Sequence, residues 1–123
     1  MKNFVTKERW VSDYLNPLEL NQGDTVEIVR KYVNNPNWKG WFFCNTNNNS
    51  GYIPEQIIDR TGDKKGLIKE NYSAKELNIK KGEKVIGLKE LNGWVWVKRD
   101  SNREEGWLPL DILNEISAPQ NNL

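Results

Sequence analysis

The sequence predicts an all-β chain in which one small domain occurs twice, and three observations carry that expectation. First, three blocks recur in the same order. Leu18-Glu19-Leu20-Asn21-Gln22-Gly23-Asp24-Thr25-Val26 returns as Leu77-Asn78-Ile79-Lys80-Lys81-Gly82-Glu83-Lys84-Val85. Gly40-Trp41-Phe42-Phe43-Cys44 returns as Gly93-Trp94-Val95-Trp96-Val97, and Gly51-Tyr52-Ile53-Pro54-Glu55-Gln56-Ile57-Ile58 returns as Gly106-Trp107-Leu108-Pro109-Leu110-Asp111-Ile112-Leu113. Second, the segments around the Gly-acid pairs alternate apolar and polar residues, the period of a strand with one face buried. Third, no stretch keeps a helical period long enough to form a helix that matters to the fold.

Taken in order, each copy reads as a meander of short strands. Leu18 to Val29 and Leu77 to Leu88 alternate around turns at Gly23-Asp24 and Gly82-Glu83. Aromatic and β-branched runs follow, Trp41 to Cys44 and Trp94 to Val97, each leading into a polar turn. The Asn-rich stretch Asn45 to Asn49 reads as a hairpin tip. Pro54 and Pro109 each follow an apolar residue, where proline ends a strand and starts a tight 3₁₀-like turn. The alternation assigns Leu18, Leu20, Val26, Ile53 and Ile58 to one core and Leu77, Ile79, Val85, Leu108 and Leu113 to the other. Polar residues between the copies read as a linker. The expected division is therefore a first barrel over 1–60, a linker over 61–66, a second barrel over 67–116 and a disordered tail over 117–123.

Composition removes several kinds of chemistry. The chain has 123 residues, 18 basic against 17 acidic, no histidine and one cysteine. Balanced charge offers no basic half to attract a polyanion, so no nucleic acid is expected as partner. Without histidine, and with Cys44 alone, the imidazole and thiolate metal sites and the Ser-His and Cys-His nucleophile pairs are excluded. The glycines stand singly at turns and form no phosphate-cradling loop. No catalytic residue, metal site or cofactor is expected. The first residues lack the apolar run of a secretory signal, and no run approaches a membrane span, which points to a cytoplasmic protein with no membrane partner. Lys64-Lys65 and Lys80-Lys81-Lys84 alternate with acids and read as solvated faces, while Cys44 reads as an inert core thiol.

The order Asp13-Tyr14, Leu-x-Leu-x-x-Gly-Asp-x-Val, Gly-Trp, then Gly-Tyr-Ile-Pro-x-x-Ile-Ile resembles the Src homology 3 domain, and the second copy, from Asn71-Tyr72 to Leu113, resembles it as well. The resemblance implies two small five-stranded Src-homology-3-like barrels in tandem. It also implies a non-enzymatic module that binds a protein or an extended peptide in aromatic grooves. Matched residue by residue, the groove would use Tyr14, Trp41 and Pro54 in the first copy and Tyr72, Trp94 and Pro109 in the second. Two family tyrosines are replaced in each copy, by Ser12 and Ile57 and by Glu70 and Ile112, and the acidic loop of the family is largely missing. Trp96 and Trp107 read as structural, and Trp38 lies in an insertion, Arg30 to Lys39, that the second copy lacks. The competing functions are a nucleic-acid-binding barrel, which has aromatics for stacking but no evident basic groove, and a cell-wall-binding module if the chain is exported.

Overall fold

The computed structural model describes residues 1–117; of the expected tail, 118–123 lie outside the described residues. The chain is all-β. Among the described residues twelve strands follow one another: β1 (Lys2–Thr6), β2 (Glu19–Leu20), β3 (Thr25–Lys31), β4 (Trp41–Asn45), β5 (Ser50–Pro54), β6 (Ile58–Gly62), β7 (Lys65–Ile68), β8 (Tyr72–Ser73), β9 (Lys84–Leu91), β10 (Trp94–Arg99), β11 (Glu105–Pro109) and β12 (Leu113–Ile116). Short 3₁₀ turns, Glu55–Ile57 and Leu110–Ile112, follow the two prolines, where the sequence places them.

The strands form two five-stranded sheets, one in the order β11-β10-β9-β1-β12 and the other β5-β4-β3-β7-β6, with a small β2-β8 ladder. These orders do not follow the sequence division. The two compact units are residues 1–13 with 76–123, and residues 14–75. The first strand of each repeat has joined the barrel of the other: β1 pairs with β9 and β12, while β7 pairs with β3 and β6. Unit 2 (14–75) is thus a continuous segment inserted into unit 1 (1–13 and 76–123).

The reason is local. The segment expected to be a linker, 61–66, is the tip of a hairpin: the end of β6, a two-residue turn at Asp63-Lys64 and the start of β7, with Gly62 opposite Lys65 and Ile58 opposite Ile68. So short a connection between the last strand of one repeat and the first strand of the next holds them antiparallel and adjacent. The socket left in the second barrel is filled by β1.

Within each unit the core is the one expected from alternation. Leu18, Leu20, Val26, Ile53 and Ile58 cluster with Ile28, Cys44, Ile57 and Ile68 in unit 2. Leu77, Ile79, Val85, Leu108 and Leu113 cluster with Phe4, Val95, Val97 and Ile112 in unit 1. The Gly-acid motif has a structural explanation in both copies. Gly23 and Gly82 adopt φ of 92° and 85°, a region that L side chains avoid. The following acid closes the turn: Asn21 N–H donates to Asp24 Oδ2 (2.8 Å) and Lys80 N–H donates to Glu83 Oε2 (2.8 Å). A register shift recurs too, between Ile28 and Arg30 in β3 and opposite Trp96 and Val97 in β9, leaving Val29 and Leu88 exposed at matching places.

Candidate functional site

In unit 1, β10 and β11 set Trp94 opposite Pro109 and Trp96 opposite Trp107. Alternation along β10 sends Val95 and Val97 into the core and the two tryptophans to the outer face. Trp10 reaches the same face from the segment after β1. Its ring meets Trp94 edge to face, with centroids 5.6 Å apart and planes at 82°, the geometry that indole quadrupoles favour. Trp10 Nε1–H donates to Glu76 Oε1 at 2.9 Å, which fixes the ring. Burial pushes the Glu76 carboxyl above its ordinary value; the Trp10 hydrogen bond opposes that shift, and nearby Asp13 adds to it. A half-buried pair of tryptophans, a buried proline and a partly desolvated carboxyl therefore share one region.

Further along the outer face, Trp96 and Trp107 meet edge to face at 5.4 Å, and Trp96 Nε1–H donates to Glu105 Oε1 at 2.8 Å. Trp107 is only 6% exposed, as its assignment to a structural role requires.

Unit 2 repeats the plan with different aromatics. Trp41 stands opposite Pro54, and Phe43 opposite Tyr52. Tyr72 joins them from β8, its hydroxyl donating to the Tyr52 carbonyl at 3.2 Å. Tyr52 is edge to face with Phe43 (5.2 Å) and with Tyr32 (5.4 Å), and Trp38 lies 6.1 Å from Tyr32. The Arg30 guanidinium sits 4.3 Å over the Phe43 ring. The insertion thus adds Tyr32 and Trp38 to the aromatic face, while Trp41 itself is 7% exposed and presents little surface.

The residues matched to the second copy's groove, Tyr72, Trp94 and Pro109, are divided between the two units. Tyr72 belongs to unit 2 with Trp41 and Pro54, and Trp94 and Pro109 belong to unit 1. Tyr14 is not the counterpart of Tyr72 either. Tyr72 pairs with Leu20, and Trp10 bridges to Ile79. Leu20 and Ile79 are matching positions of the repeat, so Trp10 holds the place of Tyr72. Tyr14 is 47% exposed at the first residue of unit 2. The Asp13-Tyr14 dipeptide matches the family motif in sequence but lies four residues past the structural position. The available signal was spacing, because Trp10 and Tyr72 each fall four residues after a strand end, Thr6 and Ile68. The positions of the family's later tyrosine, Ile57 and Ile112, are both buried in the cores.

Cys44 is fully buried in unit 2, and burial pushes its thiol up to about 11. Among the described residues no group of three or more His, Cys, Asp or Glu could hold a metal ion, and no helix is long and apolar enough to cross a membrane.

The sequence pattern of the variant SH3 domain matches twice, over residues 4–60 and 59–116. The first match begins within β1 and the second, which begins at residue 59 within β6, takes in β7; each of these two strands folds into the other repeat's barrel. No curated protein matches the chain.

Proposed function

The chain belongs to the variant SH3 domain family, and we propose that it is a non-enzymatic module that binds an extended peptide or protein segment on the outer aromatic face of unit 1. Domains of this kind are in general protein-interaction modules. The observation that supports this site is the edge-to-face pair of Trp10 and Trp94 beside Pro109, with Trp10 anchored to the half-buried Glu76. Two rings held at nearly a right angle make an apolar corner, which receives a side chain projecting from an extended backbone better than it receives a flat ring system. The carboxyl behind Trp10 favours a ligand donor or cation at the rim. Tyr72, Trp41 and Pro54 form the related region of unit 2, where low exposure of Trp41 leaves Tyr72, Tyr52 and Tyr32 to make the contacts. Catalysis has little to work with: the chain has no histidine, and its one thiol is buried with a raised pKa.

The test is selection of a displayed random-peptide library on the whole chain, followed by titration of the selected peptides against wild type and Trp94→Ala, with thermal melts of both. An aromatic at an interface centre commonly contributes about 2 kcal/mol, so Trp94→Ala should weaken binding roughly thirtyfold while the barrel stays folded. Selected peptides that bind Trp94→Ala as tightly as wild type would move the site away from this corner. Retention of the chain on single-stranded nucleic acid that falls steeply with salt would favour the nucleic-acid alternative.

A further inference from the structure

The two barrels are built from similar repeats, yet each contains the other's first strand. Covalent connection explains why β7 stays beside β6, but packing also distinguishes the two strands. Phe4 pairs with Val85, and Gly66 pairs with Val26. Val85 and Val26 are matching positions of the repeat, so Phe4 and Gly66 occupy the same place in the two barrels. Phe4 is 3% exposed, and its ring covers Gly87: a Cβ on Gly87 would lie 2.6 Å from Phe4 Cε2 and 3.2 Å from Val95 Cγ1. The matching position to Gly87 in the other barrel is Ile28. There the bulk is reversed, because a Cβ on Gly66 would lie 2.5 Å from Ile58 Cγ2 and 3.7 Å from Ile28 Cδ1. Large stands over small in unit 1, and small beside large in unit 2.

We propose that this reciprocal bulk, Phe4 on Gly87 in one barrel and Gly66 beside Ile28 in the other, is the code that assigns each first strand to its socket and makes β1 and β7 non-interchangeable. In the sequential arrangement Phe4 would be driven against Ile28 and Ile58, and a void the size of a phenylalanine ring would open over Gly87. A second pair of positions acts in the same sense. Thr6 is buried in unit 1, where its hydroxyl donates to the Lys80 carbonyl at 2.7 Å and accepts the Glu83 N–H at 3.0 Å. Its counterpart Ile68 lies in the apolar cluster of unit 2. Exchanging them would strip the Glu83 N–H of its partner and place a hydroxyl among aliphatic side chains.

The test uses the full chain with a reporter of β1 seating. Val5 and Asn114 are Cα partners across β1 and β12, so Val5→Cys with Asn114→Cys forms an intrachain disulfide when β1 is in its socket; Cys44 is buried and does not compete. Adding Gly87→Ile fills the hole and should abolish the cross-link. Adding Phe4→Gly to Gly87→Ile recreates the Gly66 and Ile28 combination of the other barrel, and should restore both the cross-link and a melting temperature above that of either single change. That rescue remains a readout even if Gly87→Ile by itself fails to fold. The proposal is overturned if the double change cross-links and melts no better than Gly87→Ile alone, or if Gly87→Ile cross-links as completely as the parent.

Discussion

Cutting the chain at the ends of its repeats and cutting it at the ends of its folded units lead to opposite expectations. Residues 14–75 contain β2 through β8 and every buried residue of the unit 2 core. Residues 64–123 lack β1, and with it Phe4 and Thr6, although β9 and β12 are shaped to pair with that strand. The fragment could offer only β7 instead, placing Gly66 where Phe4 packs and Ile68 where Thr6 is hydrogen-bonded. Loss of a buried phenylalanine costs about 3–5 kcal/mol. A barrel of this size sits at the low end of the usual 5–15 kcal/mol, so the loss takes most of its stability, a lowering of Tm on the order of 10–40 °C. Thermal and urea unfolding followed by circular dichroism should show one cooperative transition for 14–75. For 64–123 it should show a much lower transition or none, and a synthetic peptide of residues 1–13 added in excess should raise it by mass action. If 64–123 melts as high as 14–75 and the peptide changes nothing, the exchanged pairing of β1 is wrong.

Cys44, with its thiol pKa raised to about 11, should react with an aromatic disulfide reagent on the timescale of unfolding, and at once in denaturant; rapid labelling of the native chain would place it outside the core. Glu76→Gln keeps an acceptor for Trp10 but removes an ionisable group whose folded pKa lies above its unfolded value. The native carboxyl holds its proton when the unfolded one has released it, so wild-type stability falls as pH rises through that window. The variant should therefore melt above wild type at neutral pH, and the gap should close in acid; an equal gap at all pH values would show that ionisation is not the cause. Trp107→Ala should lower stability by about 3–5 kcal/mol because the ring is buried against Trp96; denaturant melts that coincide with wild type would make the ring dispensable.

Much of unit-level structure was legible in the residues because its causes are local. Alternation placed Leu18, Leu20, Val26 and Ile53 in one core and Leu77, Ile79, Val85 and Leu108 in another. The Gly-acid pairs marked turns that need a left-handed glycine followed by an acid whose carboxylate accepts the backbone N–H three residues earlier. Candidate contact residues were only partly legible. Trp41, Pro54, Trp94 and Pro109 fall in cross-strand register as pairs. Trp10 was not legible from the family pattern, because the Asp-Tyr motif occurs four residues later, at Asp13-Tyr14, whereas the position matching Tyr72 in the barrel is Trp10.

The sequence by itself determined that the chain is two repeats of one barrel, which strands each repeat supplies, and which side chains face inward. Only the tertiary structure decided which first strand completes which barrel. Both β1 and β7 are short strands with buried positions at alternate residues, and any such strand satisfies the same backbone ladder. Their partners were chosen by features outside either strand: the tight turn that ties β7 to β6, and the presence of Gly87 in one socket where the other has Ile28. Ladder hydrogen bonds are indifferent to sequence, whereas steric fit between side chains distant in the chain is not, and that fit exists only once the barrel has closed.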